Sequence, residues 1–175
     1  MFKLSWLKII DEAVLPVCLV VASKIAGVLL AAYFFNLKYD SNQTVIFLKF
    51  SEAAATKTAN SFALILMIIV ILVGFGFVLL KAYYFHESHI HPKSSARLAK
   101  LKLANLIEGN FEIYHQAIIW LGLFWFVFFL GLVQFINGEI YWWLTAVALF
   151  LAVTLTSILY LDIKKEKLFT QDVNY

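Results

Sequence analysis

The chain has little with which to do chemistry. Its one cysteine, Cys18, can form no intrachain disulfide. It carries no phosphate-binding glycine loop, no Gly-x-Ser-x-Gly elbow, no His-Glu-x-x-His and no Cys-x-x-Cys. With none of these, it is expected not to be an enzyme. It also lacks internal repeats and low-complexity segments, so its 175 residues read as a single domain, 1–175. Charge is scarce as well, at 14% of residues against about 25% in soluble domains.

The most informative absence is that of carboxylates from four long apolar stretches, 13–35, 61–85, 113–136 and 141–161. All eleven Asp and Glu residues lie outside them. The chain therefore lacks the intramembrane acid that proton- and sodium-coupled transporters commonly use. What fills the stretches instead is a composition that is 63% hydrophobic over the whole chain. Each run is about as long as the roughly 20 residues a helix needs to cross a bilayer. Apart from Lys24 in the first run and Lys81 near the end of the second, the runs carry no charge. Backbone facing lipid must bond to itself, so runs of this length are helices. The expected fold class is an all-α integral membrane protein of four transmembrane helices.

Orientation follows from the basic residues. Lys3, Lys8, Lys81, Lys93, Arg97, Lys100, Lys102, Lys164, Lys165 and Lys167 fall on the side of the termini and the 86–111 loop. Only Lys38, Lys49 and Lys57 fall on the other. This bias places both termini and the central loop in the cytoplasm, in a cytoplasmic-type (inner or plasma) membrane. The net charge of +3 reflects the same bias and gives no reason to expect nucleic-acid binding. The first run follows Asp11-Glu12 and lacks a small-residue cleavage pattern, so it reads as a retained helix rather than a removed signal.

Local signals set the element ends. Residues 2–10 read as a short interfacial segment, with Asp11 capping the first membrane helix and Pro16 near its first turn. Ser51-Glu52 before three alanines marks a helix start outside the membrane. Pro92 ends the second helix or its extension. Residues 94–108 read as a short cytoplasmic amphipathic helix, with Ala99, Leu103, Leu106 and Ile107 on one stripe. Asn137-Gly138 predicts a tight outer turn, and Trp142 and Trp143 after it fit an interfacial aromatic belt.

One residue breaks the apolar pattern. Lys24 lies at the middle of the first run, where a lysine costs about 2.5–3.5 kcal/mol on insertion scales. The spans supply no acid to pair with it, which leaves a carboxylate or carbonyl of another subunit, a water-filled path, or a neutral amine. Gly27 and Ala31 share roughly its face, and Ser23 with Gly27 forms a small-xxx-small pair that lets helices approach closely. Together these residues predict contact with another membrane-protein subunit, one offering a carboxylate to Lys24.

Three weaker patterns accompany it. His86, His89 and His91 close the second helix, and Glu112 with His115 opens the third on the same side. The Glu-x-x-His spacing occurs in di-metal bundles, and such side chains suit zinc or iron. The other helices offer no further carboxylates at this level, so no cofactor is expected unless this cluster holds a metal. The histidines gather at one rim, which disfavours a haem held between spans. Trp120, Phe124, Trp125, Phe126, Phe128 and Phe129 crowd the third helix; such aromatics serve as packing and lipid-facing bulk, or stack a pigment, quinone or lipid. Lys93, Arg97, Lys100 and Lys102 offer positive charge to lipid headgroups at roughly 1 kcal/mol each.

The leading expectation is a non-catalytic structural or assembly subunit of a larger membrane complex. The alternatives are a small homo-oligomeric channel or transporter with Lys24 in its pathway, and a membrane metal or redox protein using the rim histidines.

Overall fold

The computed structural model describes the backbone of residues 2–38, 50–85, 96–97, 100–101 and 110–172, and most of the side chains within those ranges. Four long helices make up the described chain: α1 (Phe2–Phe34), α2 (Ala53–Phe85), α3 (Asn110–Ile136) and α4 (Trp142–Asp172). Within them Glu12–Phe34, Ala53–Tyr83, Glu112–Ile136 and Trp142–Lys164 are long and apolar enough to cross a membrane. Of the expected helix at 94–108, only positions 96, 97, 100 and 101 are described, the first three helical and the last a turn. The remainder lies outside the described residues, as do Pro92 and most of the loop between α1 and α2.

The helix ends differ from expectation at one place. Residues 2–10 are not a separate segment, because α1 runs without a break from Phe2 through Asp11. Asp11 therefore stands inside a helix rather than at its cap, and Pro16 falls in the interior instead of the first turn. The proline has no N–H to return to the carbonyl of Glu12, so the helix gives up one internal bond there. Packing compensates, since Pro16 is buried. The start of α2 agrees with the sequence: the Thr56 amide and hydroxyl both donate to the Glu52 carbonyl, at 3.1 and 3.3 Å.

Two helices finish in the same way. At the end of α1 Asn36 adopts φ 49°, with Leu37 N bonded to Ala32 O at 3.0 Å and Asn36 N to Tyr33 O at 3.4 Å. At the end of α3 Gly138 adopts φ 76°, with Glu139 N bonded to Gln134 O at 2.8 Å and Gly138 N to Phe135 O at 2.9 Å. These paired bonds are Schellman caps, which satisfy carbonyls that a helix end otherwise leaves open. The second of them is the turn expected at Asn137-Gly138.

Packing is organised around α2. A stripe of Pro16, Val20, Ser23, Gly27 and Ala31 on α1 is buried, and Ala55, Ala59, Ala63 and Met67 recur every fourth residue on α2. A Cβ at Gly27 would lie 2.5 Å from the Cα of Ala63, so the two backbones touch there. Facing α3, Gly74 makes room for Trp120, whose ring would be 2.4 Å from a Cβ at that position. Phe124, Ile71, Ile140 and Val127 are the largest fully buried side chains. α4 packs chiefly on α3, where Trp125 Nε1 donates to Thr156 Oγ1 at 3.1 Å. The outward faces remain apolar: Val73, Phe77 and Phe150 are each at least two-thirds exposed. Hydrocarbon is the solvent that suits such a surface.

Candidate functional site

Small side chains create the site by closing one seam and leaving a gap beside it. Ser23, Gly27 and Ala31 let α1 lie directly on α2, and all three are buried in that contact. The Ser23 hydroxyl turns inward to donate to the Val20 carbonyl at 2.7 Å. The small-residue face that the sequence offered to another subunit is thus covered by the chain's own second helix. Lys24, one step further round α1, is exposed at the edge of this seam. It sits one residue past the centre of the 23-residue stretch Glu12–Phe34. The end of α1 lies ten residues away, about 15 Å at a helical rise of 1.5 Å.

α1 packs mainly along α2 and touches α3 only lightly. The resulting hollow is small, about 10 Å³, and is lined by Lys24 from α1, by Asn60, Ala63, Leu64 and Met67 from α2, and by Leu130 and Gln134 from α3. Its two other polar members, Asn60 and Gln134, are half-buried carboxamides. Among the described residues Lys24 has no carboxylate partner. An ammonium can only donate, so the acceptors within the hollow are the carboxamide oxygens.

A set of polar contacts fixes the end of the hollow nearest the α3–α4 turn. Asn60 Nδ2 donates to Glu139 Oε2 at 3.4 Å, spending its amide on the α3–α4 turn. Next to it the Tyr141 amide donates to Ser61 Oγ at 3.2 Å. Lys57 Nζ stands 4.9 Å from the centroid of the Tyr141 ring, a cation–π distance. The start of α2 and the turn between α3 and α4 are tied together here. Toward the other end of the bundle, residues of the same helices are apolar and buried: Val20, Met67, Ile68 and Ile71. Among the described residues around the hollow, polar groups therefore reach from Lys24 toward one surface only.

Asn60, Gln134 and Glu139 did not stand out in the sequence. Asn60 precedes the second apolar run by one residue, and Gln134 is one of two amides in the third, with Gln116. An uncharged amide near a span end is a quiet signal, and only the packing of three helices shows that it belongs with Lys24.

The other sequence candidates are placed as follows. Glu112 and His115 lie at the start of α3, where neighbouring groups engage both. His86, His89 and His91 lie outside the described residues, and no group of three potential metal ligands occurs among those that are described. Tyr114 OH donates to Asp162 Oδ2 at 3.2 Å, tying α3 to α4 at that end. Arg97 and Lys100 are exposed, while Lys93 and Lys102 lie outside the described residues. On α3, Trp120, Phe124 and Phe128 are core, whereas Phe126 and Phe129 face outward. Trp125, Phe128 and Phe129 form one ring cluster with centroids 5.3–6.0 Å apart. No protein family, curated protein or solved structure matches the chain, so what it does is read from its own residues.

Proposed function

We propose that this chain is a non-catalytic subunit of a larger membrane complex, and that Lys24 is its point of attachment to another subunit. One observation carries the reading: an exposed ammonium at mid-span with no carboxylate partner among the described residues. A cation left in that position is costly, and such charges as a rule face protein or water rather than lipid. Positive-inside bias supports a cytoplasmic-type membrane with both termini inside, and Arg97 and Lys100 would then meet cytoplasmic headgroups. The proposed amphipathic helix at 94–108 belongs to the same arrangement, lying along that surface.

Gentle extraction of the tagged chain, followed by native mass spectrometry, tests the reading. The wild type should carry a second membrane protein in fixed ratio. Lys24→Met keeps the bulk, removes the charge and should lose that protein while inserting normally. A Lys24→Met chain with its partners unchanged would overturn the assembly role. The channel reading finds less support, because the described polar residues around the hollow extend from Lys24 toward only one surface and buried apolar side chains lie the other way.

A further inference from the structure

We infer that a transmembrane helix of another subunit packs on the surface where α1 and α3 flank a small hollow, with an Asp or Glu of that helix seated against Lys24 and Gln134. This rests on the complex-subunit reading and adds where the partner docks and what it must carry. The small-residue stripe of α1 is covered by α2, so an approaching helix meets α1 on its exposed side, where Lys24 stands beside the hollow. The hollow is walled there by Leu130, which is 37% exposed, and by the half-buried Gln134.

Charge complementarity selects the occupant. A carboxylate accepts at two oxygens and is best buried when each finds a donor. Lys24 supplies a charged donor, and the Gln134 side chain supplies a neutral one from the facing helix. Asn60 has committed an amide hydrogen to Glu139, which holds that edge of the hollow in place. A lipid phosphate is a poor fit, because Lys24 is near mid-span, about 15 Å from the end of its helix. A second copy of this chain is a poor fit too, since its four apolar runs hold no acid.

The test places a photo-crosslinking residue at Leu130 in the full chain, with Phe150 on the outward face of α4 as control. Position 130 should give an adduct with another protein, mapping to an apolar segment interrupted by Asp or Glu, and position 150 should give lipid. Gln134→Glu then supplies Lys24 with an acid from its own chain. Partner recovery should fall at least about a hundredfold, the scale expected when one side of a buried ion pair loses its partner. Gln134→Leu, which loses the amide but adds no charge, should lose much less, and thermal unfolding in detergent should show Gln134→Glu at least as stable as wild type. Equal losses for the two variants would overturn the ion pair. Adducts at 130 with lipid alone, or with a second copy, would overturn the docking site while a co-purifying partner kept the subunit reading alive. Absence of any co-purifying protein would overturn both.

Discussion

A methyl group at position 27 has nowhere to go, because its carbon would sit 2.5 Å from the Ala63 backbone. Backbone cannot rotate aside as a side chain can, so Gly27→Ala must push α1 off α2. The expected loss is about 1–3 kcal/mol, the usual range for overpacking, read from denaturant titration in detergent micelles. Gly76→Ala is the matched control, since its Cβ would meet nothing within 4 Å. It should be neutral or slightly stabilising, as alanine favours helix by up to about 1 kcal/mol. Equal losses at the two positions would show that the seam is not held by backbone contact. That Gly27 serves close packing was legible in its spacing from Ser23. Which surface covers it was not, because periodicity defines a face without naming the helix that meets it.

At the scale of elements, the caps and the α3–α4 contact carry the testable content. Gly138 stands at φ 76°, where an L-residue costs about 1–2 kcal/mol, so Gly138→Ala should destabilise by that amount. Asn36→Gly should change stability little, because asparagine already tolerates the left-handed conformation. Thermal melts of both variants check the pair. The Trp125–Thr156 bond is a separate case: a double-mutant cycle with Trp125→Phe and Thr156→Val should give a coupling near 0.6 kcal/mol, typical of hydrogen bonds between membrane helices. A coupling of zero would remove that bond from the account. Element positions were legible from apolar length free of carboxylates, and the turn from Asn137-Gly138. The start of α1 was not, because the acidic pair Asp11-Glu12 resembles a cap whether or not helix precedes it. The pairing of Trp125 with Thr156, 31 residues apart, depends on how two helices rotate about their axes, which composition leaves open.

For the whole molecule, the first quantity to measure is sidedness. With Cys18→Ala as background, a cysteine at Ser41 should label only from outside and one at Ser94 only from the cytoplasm. The reverse pattern would invert the arrangement, since basic-residue bias is its sole support. The four-helix architecture was plain in the sequence, whereas the candidate site was only half visible there. Lys24 announces itself by its charge. Asn60 and Gln134 join it only through the packing of three helices.

An exposed ammonium in the bilayer also bears on how long a molecule survives. If the chain is a subunit as proposed, one that has not met its partner presents lipid with a defect of about 2.5–3.5 kcal/mol, and cellular proteases sort on differences of that size. Lys24 would then act as a mark of solitude, legible to the membrane's degradation machinery and hidden on assembly, so that the partner's abundance sets the chain's own. In pulse-chase measurements the chain produced in excess should decay several-fold faster than its Lys24→Met variant, and raising partner levels should slow the wild type alone. Equal half-lives would mean that the charge is tolerated in isolation and that cells count these subunits by some other means.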